Sequence, residues 1–215
     1  PKLSGVTDWV TISSLATGAG TLVLAVATFA SVRSANRAAR VAEDSLLASV
    51  RPLLLPSRQG DEPIKVGFAD NHWVRVAGGS GTVEVVEDAV YLTMSLRNAG
   101  NGIAVLDGWR IEPSAVLGAS ERPALTDFRH LTRDLYIASG DVYFWQGALR
   151  EPADPDRRFI DEQLAKQERI VIDLLYGDQH GGQRVISRFS LLPRGDDGFI
   201  LSLSRQWNVD RPDPR

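Results

Sequence analysis

Three histidines and a set of glycine-rich turns are the residues of this chain whose types could support chemistry. The histidines are His72, His130 and His180, and the 215-residue chain contains no cysteine. The lack of cysteine excludes disulfide frameworks, thiolate zinc sites and cysteine nucleophiles. A catalytic or metal site would therefore have to be built from histidine, carboxylate and hydroxyl groups.

The most site-like pair is Asp178 and His180, which lie two residues apart in the sequence Gly177-Asp-Gln-His-Gly-Gly182. Two such ligands could begin a metal site, but a usable site needs more ligands from elsewhere in the chain. His-Gly-Gly also occurs in the oxyanion loops of lipases, yet no Gly-x-Ser-x-Gly motif accompanies it here. Aspartate and glycine are what a hairpin turn requires in any case. We interpret the segment as a turn, and we predict no catalytic, cofactor-binding or metal-binding residues and no cofactor.

A set of aromatic residues supplies the other candidates for a functional surface: Trp73, Trp109, Tyr143, Trp145 and Trp207. Large aromatic side chains belong more often to a core than to a binding face. Trp145 and Trp207 are the better interface candidates, because each lies beside polar residues at the end of a predicted strand. We predict an interface that contains Trp145, Arg205 and Trp207.

Charge is distributed unevenly along the chain. Residues 1–56 carry five basic and three acidic side chains, whereas residues 57–215 carry 19 basic and 24 acidic ones. An acidic region repels phosphate backbones, so nucleic acid is not an expected partner.

Residues 9–32, WVTISSLATGAGTLVLAVATFASV, contain no charged side chain. A helix of this length would reach about 36 Å and could cross a hydrocarbon core of about 30 Å with some tilt. We predict a membrane-spanning helix over 9–32 after a flank of residues 1–8, with the lipid bilayer as its partner. Two alternatives stay open. A buried core helix normally has a polar face, and a signal peptide has a shorter apolar region, although Ala25 to Ala30 resemble a cleavage site.

The orientation of the span follows from the basic residues at its two ends. Arg33, Arg37 and Arg40 follow the span closely, whereas Lys2 alone precedes it. Lysine and arginine are retained on the cytoplasmic side of a membrane. We therefore predict a single-pass protein of the cell membrane with its C-terminal domain in the cytoplasm.

The helix is predicted to continue beyond the membrane as a stalk over residues 33–51. No proline or glycine lies between Thr21 and Arg51, and Pro52 disfavours helix at the residue before it. Small or apolar residues recur at heptad spacing, which favours contact between helices. We predict that the helix associates with itself or with another membrane protein. The predicted seam consists of Val32, Ala35, Ala39, Ala42, Leu46 and Ser49, and the same register extends back through the span at the small residues Thr11, Ser14, Gly18, Thr21, Ala25 and Thr28.

After Pro52 the hydrophobic period changes to two, which predicts a soluble β domain over residues 52–215. The clearest strand is 90–97, with Val90, Leu92, Met94 and Leu96 facing the core and the intervening residues facing water. Many further short strands suggest an antiparallel, immunoglobulin-like or similar β-sandwich. A short helix is expected at about 159–167. The other strands are predicted at 53–56, 64–68, 73–76, 83–86, 103–111, 135–138, 142–145, 169–176, 184–191 and 199–207, and on the last of these Phe199, Leu201, Leu203, Arg205 and Trp207 share one face.

Two turn sequences also carry a resemblance. Leu96-Arg-Asn98-Ala-Gly100-Asn-Gly102-Ile-Ala104 and the downstream Tyr176-Gly-Asp178-Gln-His-Gly181 are similar to a pattern in functionally uncharacterised bacterial single-span membrane proteins. Proteins of that group have an N-terminal transmembrane helix, a short stalk and a β-sandwich domain. The resemblance implies the same architecture here and implies no activity.

The function predicted from the sequence is a membrane-tethered, non-enzymatic interaction module. Such a protein would be an accessory or regulatory subunit of a larger membrane assembly. The alternatives are a ligand-binding sensor with a pocket between the sheets, and an unrecognised hydrolase. The volume of a pocket and the convergence of polar groups on it distinguish the three.

Overall fold

The computed structural model describes residues 4–113, 121–195 and 198–213. The chain divides into two compact units, residues 1–48 and residues 49–215. Of the predicted N-terminal flank, residues 1–3, which include Lys2, lie outside the described residues.

The first unit is a single helix, α1 (Ser4–Ser49), of 46 residues. It joins the predicted span and stalk without interruption. Within the described residues α1 is the one helix that is long and apolar enough to cross a membrane, and none of its most apolar stretch is buried. The alternative of a buried core helix is therefore wrong. Thr17, Thr21 and Thr28 donate their hydroxyl groups to the carbonyls four residues earlier, at 2.8–2.9 Å, so these polar groups do not need water.

The second unit is built from antiparallel strands, and all the predicted strands are present. Within the described residues they are β1 (Leu54–Pro56), β2 (Ile64–Gly67), β3 (Trp73–Val76), β4 (Ser80–Val86), β5 (Ala89–Asn98), β6 (Ala104–Ile111), β7 (Arg129–Ile137), β8 (Val142–Leu149), β9 (Ile170–Asp178), β10 (Val185–Pro193) and β11 (Phe199–Asn208).

Nine of these strands form one curled sheet in the order β1-β5-β4-β11-β10-β9-β6-β7, and β8 pairs with β5. One layer of the sandwich contains β1, β4, β5 and β8, with β5 at its centre. β4 and β1 pair with successive parts of one edge of β5, and β8 pairs with its other edge. The layers meet at a two-residue ladder in which Phe199 pairs with Gly81 and Ile200 with Ser80. The mainly β, antiparallel sandwich expected from the sequence is confirmed.

β5 shows that the sandwich has a further covering layer. The core-facing residues agree with the prediction, and Met94 is completely buried. The opposite face was expected to be wet, but Thr93 and Ser95 are also completely buried. The segment that includes the β2–β3 hairpin covers this face, with the Ser57 hydroxyl 2.7 Å from that of Ser95 and Phe68 edge-on against Tyr91. The expectation of a solvated face is wrong because this hairpin shields it.

A β-bulge in β11 overturns the predicted face of its last residues. Arg188 of β10 pairs with Arg205, but the next residue, Phe189, pairs with Leu203, so Ser204 is extra. Inserting one residue exchanges the two faces of a strand. Residues before the bulge, such as Leu203, pack against the core, whereas Trp207 joins a separate cluster on the outer face.

The only described helix of the β domain with more than one turn is α2 (Pro155–Lys166). It overlaps the predicted helix at 159–167 but begins four residues earlier. The reason is local. Asp154 caps the helix by accepting a hydrogen bond of 3.0 Å from the Asp156 amide, and Pro155 occupies the first turn.

The first residues after α1 are held by the β domain. Glycine is required at two positions of the β5–β6 turn, because a Cβ at Gly100 would overlap the Arg51 carbonyl and a Cβ at Gly102 would overlap that of Val50. The Arg51 guanidinium also donates a hydrogen bond to the Asn208 side chain. Val50 and Arg51, which the sequence assigns to the end of the stalk, therefore pack with the β domain, and the second compact unit begins at Ser49.

The side chain of Asn98 stabilises the same turn through four hydrogen bonds. Its side-chain oxygen accepts hydrogen bonds from the amides of Leu53 (3.1 Å) and Gly100 (3.0 Å). Its side-chain nitrogen donates to the carbonyls of Gly102 (2.6 Å) and Ile137 (3.0 Å). Asn98 is 1% exposed. Its bonds to Gly102 and Ile137 are buried, whereas its bonds to Leu53 and Gly100 are partly buried. The Asn-Ala-Gly-Asn-Gly sequence thus joins β1, β5 and β7 at one end of the domain.

Candidate functional site

The Asp178 turn is structural. Asp178 is buried and accepts hydrogen bonds from the amides of His180 (2.8 Å) and Gly182 (3.1 Å) and from the Gln183 side chain (3.3 Å). Gly181 takes the positive φ of 73° that closes the reversal. The carboxylate is thus used within its own loop, and the His180 side chain is exposed. Among residues 4–113, 121–195 and 198–213 no three histidine, aspartate or glutamate side chains come together as metal ligands.

The expected exposure of Trp145 and Trp207 is corrected by the structure. Trp145 is completely buried and packs edge-on against Trp109, with ring centroids 5.3 Å apart. Trp207 is 2% exposed, because the bulge turns it into the outer cluster with Leu175 and Ile186. Neither indole ring offers a face to a partner. Of the three candidate interface residues, only Arg205 is partly exposed.

Arg205 belongs to a stacked arrangement of charges and an aromatic ring. Its guanidinium lies 5.3 Å from the centre of the Trp207 ring, and that of Arg188 lies 5.0 Å from it. Arg188 is paired with the fully buried Asp173 at 2.7 Å and with Glu112 at 2.8 Å. Burial lowers the pKa of Arg188, but its hydrogen bonds and the nearby carboxylates raise it overall. Because Arg188, Asp173 and Glu112 satisfy one another's charges, we interpret this cluster as a structural support of the sheet.

A different surface has the shape of a binding site. A cavity of about 340 Å³ opens between β7 and β8, and we call it the β7–β8 groove. Its volume lies at the lower end of the range of small-ligand pockets, about 300–1,000 Å³. The groove is lined by Gly67, Phe68, Ala69, Trp109, Arg129, His130, Leu131, Thr132, Arg133, Gln146, Gly147, Ala148 and Arg150.

The groove exists because two consecutive strands do not pair with each other. β7 belongs to the ladder of β6 and β8 to that of β5, and in the described part of the chain no ladder joins β7 to β8. β7 also leaves β6 locally, since the register shifts between the pairs at Leu135 and His130 and residues 131–134 have no β6 partner. Two strand edges therefore border the groove with backbone groups that are available for pairing.

The floor of the groove is aromatic and tightly packed. Trp109 is 5% exposed and Phe68 is 7% exposed, so each shows only a small part of its ring. A Cβ at Gly147 would lie 2.8 Å from the ring of Trp145 and 3.1 Å from that of Trp109. Glycine at 147 thus lets β8 lie directly on the two indole rings.

The rim of the groove carries three arginines that are held in place by neighbouring groups. The Arg129 guanidinium binds both oxygens of Asp154 at 2.6 and 2.8 Å and one oxygen of Asp156 at 2.7 Å. The hydrogen bond from Arg129 lowers the pKa of Asp154, and that bond in turn raises the pKa of Arg129. Arg133 donates to the Gln146 side chain at 3.0 Å.

The third arginine, Arg150, lies at the end of the groove next to the β2–β3 hairpin. Its Nε donates to Asp70 at 3.0 Å, and the Tyr91 hydroxyl donates to the same carboxylate at 2.7 Å. Burial raises the pKa of Asp70, but the hydrogen bonds from Tyr91 and Arg150 lower it to about 2. His72 stacks on Tyr91 with ring centroids 4.1 Å apart and contacts Glu84 at 2.9 Å.

The remaining histidine, His130, lines the groove but is 87% exposed, and its Nδ1 is 3.7 Å from Asp107. That separation exceeds the 2.6–3.2 Å or so over which a base is held by a hydrogen bond. The groove instead combines an aromatic floor, open strand edges and a rim of arginines. Arg129 and Arg150 are ion-paired with carboxylates, whereas Arg133 donates to the neutral Gln146 side chain. These are recognition groups, suited to an extended polar ligand.

Sequence reasoning missed this site, although one signal for it was present. The segment 129–134 reads Arg-His-Leu-Thr-Arg-Asp, which is too polar for a strand that is buried on either face. For that reason the sequence predicts a strand only at 135–138. The charges of this segment are the rim of the groove.

The comparisons with known proteins identify no family. No family model and no curated protein matches the chain. A solved structure described as a crystal structure of protein from Archaeoglobus fulgidus has 13% sequence identity, covers 60% of this chain and 94% of that chain, and gives a TM-score of 0.25. A similarity this low carries no argument about fold or function. The resemblance to bacterial single-span membrane proteins therefore stays a prediction.

Proposed function

We propose that this protein is a single-pass membrane protein whose β domain is a non-enzymatic interaction module, an accessory or regulatory subunit of a membrane assembly. The observation that carries the proposal is the β7–β8 groove. Its residues provide backbone pairing, aromatic contact and charge, which together recognise a polypeptide segment of a partner.

The open strand edges are the strongest part of this argument. Natural sheets usually protect an edge with proline, charged side chains, bulges that turn it away, or a covering loop. Residues 131–134 form a bulge that carries the charges of Arg133 and Asp134, but residues 131–133 also line a concave surface that can receive a partner segment. A partner strand laid along this edge would gain main-chain hydrogen bonds, and an acidic side chain on it could pair with Arg133.

The proposed location follows from α1. Arg33, Arg37 and Arg40 favour a cytoplasmic β domain, and the helix seam at Ala35, Ala39 and related positions supports association with itself or with a partner's helix. A reporter fusion at the C-terminus tests the orientation. We expect fluorescence from a cytoplasmic reporter and no activity from a periplasmic phosphatase, and the opposite pattern would reverse the assignment.

The groove is tested by purifying the full chain and its variants from the native host in mild detergent. Thr132→Trp would fill the groove and Arg133→Glu would reverse a rim charge, and both residues are exposed, so the fold should be retained. The matched controls are Thr126→Trp and Arg158→Glu, exposed positions that do not line the groove. We expect a stoichiometric partner with the wild type and the controls that is lost with both groove variants. A partner retained by the groove variants, or a chain that purifies alone, would contradict the proposal.

A second candidate function is a sensor for a small ligand, which the volume of the cavity favours. Native mass spectrometry of the full chain distinguishes the two. A bound molecule of less than about 1 kDa that is lost in Thr132→Trp would favour the sensor, because a polypeptide partner would add a far larger mass.

A further inference from the structure

A second surface of the protein, separate from the groove, is a row of cations on α1. We propose that Arg33, Arg37 and Arg40 form a binding stripe for the phosphate headgroups of anionic lipids. The inference uses the membrane span that is part of the proposed function, but it is independent of what binds the groove.

The three arginines lie on one side of the helix. At about 100° per residue they fall within an arc of about 60°, and they extend over about 10 Å of the helix axis. All three are exposed, and so are Phe29 and Asn36 on the same side. These side chains border an open surface cleft together with Val32.

The order of residues along this face follows the layers of a membrane. Phe29 lies in the uncharged segment, and the arginines begin at the first residue after it. The headgroup layer is about 5–8 Å thick on each side of the hydrocarbon core. At about 1.5 Å per residue, Arg33 falls within the layer of phosphates and Arg37 at its border with water. Arg40 lies about 12 Å beyond Val32, in the water just outside this layer. A guanidinium binds phosphate through paired hydrogen bonds, which a lipid phosphate at this depth can accept.

The arginine stripe also remains available if helices associate. Ala35, Ala39, Ala42 and Leu46 of the predicted seam are centred about 160° away around the helix. A helix packed against the seam would leave the arginines facing lipid. For this reason a lipid headgroup is the occupant that fits the stripe better than an acidic protein.

The test uses the full chain in bilayers of phosphatidylcholine that contain a minor fraction of phosphatidylglycerol. Spin-labelled forms of both lipids report how much of each is immobilised by the protein. We expect the wild type to prefer phosphatidylglycerol by at least about fivefold at low salt, the factor that one arginine near an anionic surface supplies. The preference should fall as salt is raised, and inorganic phosphate at the same ionic strength should not compete beyond this effect.

The decisive variant is Arg33→Gln/Arg37→Gln/Arg40→Gln, which should lose the preference. Its matched control, Arg58→Gln/Arg75→Gln/Arg158→Gln, removes the same charge from exposed positions of the β domain and should keep it. Circular dichroism verifies that both retain the helix and the β domain. Equal immobilisation of the two lipids by the wild type, or an equal loss in both variants, would overturn the proposal. Failure here leaves the groove experiment unaffected, because that experiment does not depend on lipid composition.

Discussion

Replacing Asn98 by alanine should be one of the most damaging changes in the β domain. The substitution removes four hydrogen bonds at a residue that is 1% exposed. It leaves the amides of Leu53 and Gly100 and the carbonyls of Gly102 and Ile137 without their partner. A hydrogen bond contributes about 1 kcal/mol on average, and a buried group left unsatisfied costs about 1–3 kcal/mol. We expect a loss of about 3–5 kcal/mol, which assumes that water reaches part of the turn.

The control is Asn101→Ala, which changes an exposed asparagine in the same turn and should cost less than about 1 kcal/mol. The free energy of unfolding is measured by urea titration of the full chain in mild detergent, with tryptophan fluorescence as the signal. The assay reports the β domain, because four of the five tryptophans lie in it. If the two variants differed by less than about 1 kcal/mol, the bonds of Asn98 would not be what holds this end of the domain.

Four further results are expected. Met94→Asp and Thr93→Asp should both unfold the β domain, because each would place a carboxylate at a fully buried position. Circular dichroism measures the loss of structure, and a mild effect of Thr93→Asp would show that this face of β5 is open to water. The double change Asp178→Asn/His180→Gln should shift the melting temperature little with or without a chelator. Asp178→Ala should cost about 1 kcal/mol, because the partly buried hydrogen bonds from the amides of His180 and Gly182 lose their acceptor. Asp70 should titrate near 2 by carboxyl NMR, against 3.8 when unperturbed, and Arg150→Gln should raise that value. Since its pKa is lowered by folding, the stabilisation from Asp70 is present above about pH 4 and is lost as the pH falls toward 2. Gly102→Ala should destabilise the domain in the same urea assay, because its methyl group would overlap the Val50 carbonyl, while Gly140→Ala, with open space around it, should cost only the strain of its positive φ.

Periodicity and turn chemistry were sufficient to predict the elements of this fold. The alternation in β5 and the glycine- and asparagine-rich turns locate strands because they depend on neighbours in sequence. The long uncharged segment likewise predicted α1. The inward direction of Met94 followed from the same pattern.

The incorrect predictions have a common cause. Each concerns a feature that depends on contacts between segments far apart in the sequence. The second face of β5 was predicted to be wet because no local pattern reveals that the β2–β3 hairpin covers it. The inserted Ser204 exchanged the face of Trp207, and a bulge has no strong signature in a single sequence. The groove was not predicted because it forms only when β7 pairs with β6 and β8 pairs with β5. This pairing is a property of the sheet topology.

The attachment of Val50 and Arg51 to the β5–β6 turn has a practical consequence for making a soluble form of the protein. A truncated form that begins at Pro52 would look reasonable, because the helix ends before that residue. It would delete the two residues whose carbonyls pack on Gly100 and Gly102, and it would remove the guanidinium that binds Asn208. The turn would then be exposed, and Gly100 and Gly102 would have lost the segment that packs against them. A form that begins at Ser49 or earlier retains that segment, and it is the better choice for expression and crystallisation.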